Sequence, residues 1–146
     1  MISTLRETTL FTGLLFSLNV CAGSQIPPPV VALTEVKMNS QALKLIDAQG
    51  QCAVLKPDNT QLALGMEWPC QFSQNRKGLP RVEMFNSVPI VVVFHNAPAS
   101  APNINCLQTA QAVRLRDGAL ETSSVSQHAM CSTGHDQKMF VGMFRW

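Results

Sequence analysis

The chain predicts an all-β domain, either an antiparallel sandwich or a partly closed barrel, with one or two short helices and two disulfides. Three observations carry that prediction. Roughly seven to nine short runs rich in β-branched and aromatic residues follow one another at sandwich spacing. Turn-forming clusters separate them, and no stretch sustains an apolar stripe at the helical period. Of the 5 cysteines, Cys52, Cys70, Cys106 and Cys131 lie beyond an N-terminal segment with the features of an export signal. They therefore form a disulfide framework suited to an oxidising compartment.

Residues 1–6 supply a short positive start, and residues 10–20 an apolar run too short to cross a bilayer as a helix. Val20-Cys21-Ala22 fits the small-x-small pattern of signal-peptidase cleavage. A lipid anchor on Cys21 would want a small residue where Val20 stands. The expected organisation is a signal peptide over 1–22, an extended Pro-rich arm over 23–29 and a single β domain over 30–146. Pro27, Pro28 and Pro29 favour polyproline II in the arm. After cleavage no apolar run reaches the roughly 20 residues of a membrane helix. The expected location is the periplasm or the exterior, with no membrane span in the mature chain.

The elements follow in order. Residues 30–36 are apolar and β-branched, and residues 43–45 alternate before Gly50 closes the run. Residues 52–55 and 62–66 flank Pro57-Asp58-Asn59-Thr60, where Pro presets φ and the Asx side chains bond back to the backbone. Leu62, Leu64 and Met66 should share one face. Residues 71–74 and 81–85 flank Asn75-Arg76-Lys77-Gly78 and read as a hairpin, with Val82 and Met84 inward. Residues 90–94 (Ile-Val-Val-Val-Phe) lack alternation, as a central strand covered on both faces would. Residues 112–116 and 119–122 flank Asp117-Gly118, the strongest hairpin pattern in the chain. Residues 139–144 read as a closing strand, paired so that Phe140, Val141 and Phe144 are not left on an edge. The polar stretches 105–112 and 123–130 are the candidate helices.

Four cysteines allow three pairings. The Asp117-Gly118 turn lies midway between Cys106 and Cys131, and the Pro57 turn lies between Cys52 and Cys70. The expected bridges are therefore Cys52–Cys70 and Cys106–Cys131. Each closes a loop of about 20 residues and contributes roughly 3 kcal/mol on the chain-entropy estimate.

Charge and composition narrow the partners. Lys and Arg total 11 against 9 Asp and Glu, a net charge of +2, which predicts no nucleic-acid binding. Only 14% of residues are charged, so Gln, Asn, Ser and Thr must dress the surface. The absence of Tyr and the presence of only 2 Trp disfavour an aromatic carbohydrate platform.

His128, Cys131, His135 and Met139 bring together residue types that suit copper or zinc. His95 would join them only if the central strand ends nearby. The spacing matches no standard zinc pattern. The simpler expectation is an oxidised Cys131, a core-facing Met139 and two solvated histidines, hence no metal or other cofactor. Ser132, His135 and Asp136 have the residue types of a hydrolytic triad, but they are too close in sequence to come from separate elements. No nucleophile elbow, phosphate loop or dinucleotide glycine pattern occurs. Glu35, Glu67, Glu83 and Glu121 are expected at solvent, so paired-carboxylate chemistry is not indicated.

The best recognition candidate is the tip at residues 73–80, with Arg76 and Lys77 beside Leu79. Residues 97–103 form a second candidate loop. Trp68 beside Cys70 is either a core element or a binding anchor. The leading expectation is an exported, disulfide-stabilised binding protein rather than an enzyme. Its partner would be another protein, with inhibition of, or immunity to, an exported enzyme or toxin as the role. The alternatives are copper or zinc handling through His128, His135 and Met139, a small hydrolase with a dispersed site, and an accessory role in an envelope assembly.

Overall fold

Two antiparallel sheets face each other, and both follow from alternation punctuated by turns. The computed structural model describes residues 33–98, 106–129, 131–136 and 138–146. The expected signal peptide, the Pro-rich arm and most of the 97–103 loop lie outside the described residues. The first sheet is a meander of β1 (Glu35–Met38), β2 (Gln41–Ala48), β3 (Gln51–Leu55) and β4 (Gln61–Glu67), in that order. Val36, Met38, Leu43, Leu45, Val54, Leu64 and Met66 all turn to one face and are buried. Leu62 joins Leu64 and Met66 there as expected, packed against the same core. In the turn between β3 and β4, the Thr60 amide and hydroxyl both donate to Asp58 Oδ1, at 2.9 and 2.6 Å. These bonds, the hydroxyl's first, hold the Asp58 carboxyl below its ordinary pKa.

The second sheet contains β5 (Gln71–Phe72), β6 (Glu83–Phe85), β7 (Val88–Ala97), β8 (Leu107–Arg116), β9 (Ala119–Thr122) and β10 (Ser126–His128). Its order is β10-β8-β7-β5, with β6 also on β7 and β9 also on β8. Strand β7 is covered on both faces, as its unbroken apolar run predicts. Val91 and Val93 meet the core between the sheets, together with Phe72, Val113 and Leu115. Ile90, Val92 and Phe94 point the other way, into a second cluster with Ala110, Ala112, Phe140 and Phe144. The sheets do not close into a barrel.

Both expected disulfides are present, with Cα separations of 6.1 Å for Cys52–Cys70 and 5.6 Å for Cys106–Cys131. Cys52 and Cys70 are buried in the core between the sheets. The second bridge joins the approach to β8 to the start of the C-terminal segment.

Several elements differ from the sequence reading. The first run yields a strand only from Glu35, and Leu33 and Thr34 form a turn. Stretch 105–112 runs into strand β8, and stretch 123–130 contains strand β10, so neither is helical among the described residues. Their polarity disguises them. Gln108 is buried but donates to Asn96 Oδ1 and the Ser132 carbonyl, each at 2.7 Å. Gln111 reaches across to the first sheet, where its Oε1 accepts from the Gly65 amide at 2.8 Å. Residues 71–74 and 81–85 do not form a regular hairpin: β5 and β6 each pair with β7, and an isolated bridge joins Gln74 to Pro80. Val82 packs on the core, but Met84 is 59% exposed.

The closing strand is instead a helical turn, α1 (Lys138–Val141), followed by bends. Phe140 and Phe144 are spaced for one face of a helix, and both bury on the outer side of β7 and β8. Residues 131–136 and 138–146 thus form a strap over the second sheet. At its far end lies Arg114, only 3% exposed. Its guanidinium donates to Glu121 and to the Arg145 carbonyl, each at 2.6 Å. It also lies 4.5 Å from the ring centroids of both Phe144 and Trp146.

Candidate functional site

The tip between β5 and β6 is a pinned loop. Asn75 accepts at its carbonyl from the Gly78 amide (3.0 Å) and donates its own amide to the Leu79 carbonyl (2.8 Å). Its side-chain Oδ1 accepts from the amides of Lys77 and Leu79, at 2.8 and 3.2 Å. Gly78 takes φ of +75°, a conformation that a side chain would strain. The base of the loop is tied by the Arg81 amide, which donates to the Ser73 carbonyl at 2.8 Å.

The strap forms the facing wall. The Gln74 amide donates to the Thr133 carbonyl at 3.0 Å, and the His135 amide donates to Ser73 Oγ at 2.8 Å. Arg81 Nη1 donates to the His135 carbonyl at 3.2 Å, while its Nη2 pairs with Glu83. Between loop and strap lies an open hollow of about 790 Å³, walled by Asn75, Arg76, Gly78 and Arg81 on one side and Thr133 and Gly134 on the other. Among the described residues no carboxylate lines it. Arg76 and Lys77 are exposed and make no ion pair among the described residues. Leu79 is 54% exposed. The arrangement presents two exposed cations from a hydrogen-bonded loop beside an apolar side chain, and guanidinium and ammonium groups are able to pair with a carboxylate.

Trp68 does not join this surface. It packs partly buried on the core between the sheets, next to a cis bond to Pro69. His95 Nδ1 lies 2.8 Å from the Pro69 carbonyl, and as the residue after Phe94 on β7 it points to the face opposite the one on which Phe94 meets His135.

His128 and His135 are brought together, with ring centroids 6.3 Å apart. Neither is fully solvated as expected, although His135 does lie in a loop. His128 sits on β10, its Nε2 2.8 Å from Ser126 Oγ. His135 packs against Phe94 and Phe140, and its buried Nε2 has no hydrogen-bond partner among the described residues. Burial, and secondarily the charge of His128, push the His135 pKa below its ordinary value. Met139 is 67% exposed, not in the core. Among the described residues, no group of three or more His, Cys, Asp or Glu is placed to hold a metal ion.

Ser132, His135 and Asp136 are not linked as a triad. Ser132 Oγ donates to the Gly134 carbonyl at 2.9 Å, and Asp136 Oδ1 accepts from the Lys138 amide at 3.0 Å. Glu35, Glu83 and Glu121 are each engaged by a cation: Lys44, Arg81 and Arg114. Sequence reasoning missed Arg81, Thr133 and Gly134 as walls of the hollow. Nothing local marks them, because the strap reaches the tip from more than 50 residues away. No protein-family model matches the chain, and no curated protein or solved structure matches it either.

Proposed function

We propose that this is an exported binding protein whose recognition element is the tip carrying Arg76, Lys77 and Leu79, and whose partner is an acidic surface of another protein. The two disulfides in a small β sandwich are compatible with export. The observation that carries the reading is a loop hydrogen-bonded within itself and at its base while Arg76 and Lys77 make no ion pair among the described residues. Rigid display lowers the ordering cost of binding, and an arginine fork pairs well with carboxylates. Inhibition of, or immunity to, an exported enzyme or toxin is the role such a module fits, with binding rather than catalysis as its activity.

Capture of a partner from native envelope extract tests it. The oxidised wild-type chain should recover one protein at a stoichiometric ratio. The double variant Arg76→Ala/Lys77→Ala should bind that protein at least about tenfold more weakly, at an unchanged melting temperature. Equal affinity of the double variant refutes the assignment of the tip.

The adjacent rings of His128 and His135 favour a second reading, copper or zinc handling. Titration with either metal should then raise the melting temperature, and His128→Ala should abolish the rise. An unchanged melting temperature removes this reading.

A further inference from the structure

The tip hollow is one end of a longer surface. The stretch that leaves it, residues 81–85, continues as β6 and borders a second, apolar groove of about 220 Å³. Met84, Phe85, Ile90 and Val141 line that groove, with Lys138 and Glu83 at its rim. The strap borders both recesses, through Thr133 and Gly134 at the hollow and Lys138 and Val141 at the groove. The Arg81–Glu83 ion pair stands between them.

The groove is smaller than the roughly 300–1,000 Å³ of small-molecule sites, so it suits one large apolar side chain. Its neighbours are unusually exposed apolar groups: Met84 at 59%, Phe85 at 37% and Trp146 at 46%. Glu83 is neutralised by Arg81, whereas Lys138 makes no ion pair among the described residues. The whole strip therefore offers cations at one end and an apolar recess with one further cation at the other.

We propose that the strip binds a single extended segment of the partner, with an acidic side chain in the hollow and a large apolar side chain in the groove. The inference rests on the tip reading and extends it along β6. Arg81 and Phe85 are separated by four residues of extended chain, about 13 Å at the rise of a strand. The partner's two side chains should therefore lie roughly three to five positions apart. Among the described residues strand β6 pairs only with β7, which leaves its outer side for such a segment.

Selection of displayed random dodecapeptides on the folded, oxidised chain tests this. Enriched peptides should carry Asp or Glu at that spacing from Leu, Phe, Met or Trp. Synthetic copies should perturb Trp146 fluorescence, because its ring lies 4.8 Å from Phe85 at the groove. They should lose about tenfold or more in affinity both for Arg76→Ala/Lys77→Ala and for Met84→Asp. The substituted side chains are exposed, and wild-type melting temperatures confirm that these variants fold. Peptides sensitive to the tip variant but indifferent to Met84→Asp overturn the extended strip and leave the tip reading standing. No enrichment, enriched peptides without acids, or indifference to both variants overturns the two together.

Discussion

Replacing Arg114 with Met should release the end of the strap. Arg114 is a cation with 4% of its side chain exposed, so its partners decide the cost. The charge-assisted bond to the Arg145 carbonyl at 2.6 Å is worth about 1.5–3 kcal/mol. Stacking against Phe144 and Trp146, each at 4.5 Å, adds roughly 1–2 kcal/mol. The Glu121 carboxylate is 44% exposed and resolvates when its partner leaves, so the pair is discounted to about 0.5 kcal/mol. Against these stands Nη1, buried without a hydrogen bond among the described residues, which costs about 1–2 kcal/mol. Methionine restores most of the apolar contact but none of the polar bonds. The expected net loss is about 3 kcal/mol, a fall in melting temperature of roughly 10 °C for a domain of this size. Urea unfolding followed by tryptophan fluorescence measures it, and Trp146 should become more solvent-exposed before global unfolding. Arg114→Lys should not rescue, because an ammonium lacks the planar fork. A loss under about 1 kcal/mol, or full rescue by Lys, would refute the latch.

The remaining predictions concern pH, a close contact on the first sheet and the second disulfide. A folded-state pKa for His135 below the unfolded value near 6.5 means that the unfolded chain takes up the proton first. Stability should be full above about pH 6.5 and fall as pH drops toward the folded pKa, and His135→Phe should flatten that slope in thermal melts between pH 5 and 7. An added Cβ at Gly65 would stand 2.5 Å from Cγ2 of Val125, a side chain 41% exposed that can give way, so Gly65→Ala should cost about 1 kcal/mol or less. Val125→Ala should recover much of that cost in a double-mutant cycle. Removing the Cys106–Cys131 bridge, which spans 25 residues, should cost about 3.5 kcal/mol on the chain-entropy estimate. The loss would show as a lower urea midpoint for Cys106→Ser/Cys131→Ser, with a slope equal or steeper because the uncrosslinked unfolded chain exposes more surface.

The fold was legible where local chemistry and tertiary packing agree. The Pro57-Asp58-Asn59-Thr60 turn and the Asp117-Gly118 hairpin mark where strands end. The unbroken run of residues 90–94 correctly implied cover on both faces. Cysteine spacing around the turns gave the right bridges. Legibility failed where a buried polar side chain carries a tertiary bond. Gln108 and Gln111 made the first half of β8 look like a polar helical turn, although Gln108 is held by Asn96 and Ser132 under the strap and Gln111 by Gly65 and Ser123. It failed again at the C-terminus, where Phe140 and Phe144 suit either an edge strand or one helical turn, and only the open face of β7 and β8 decides. Simple alternation would have sent Arg114 to solvent. It is buried because the strap supplies Arg145, Phe144 and Trp146. At the candidate site, Arg76, Lys77 and Leu79 were visible as a tip. The hollow beside them was not, since its far wall comes from Thr133 and Gly134.

An intact-mass measurement on protein taken from its native host, alkylated without reduction, bears most directly on the claim that this is an exported, oxidised scaffold. The predicted mass lacks residues 1–22 and carries no alkyl group on Cys52, Cys70, Cys106 or Cys131. A mass that retains the N-terminal segment and shows all four of these thiols alkylated would contradict it.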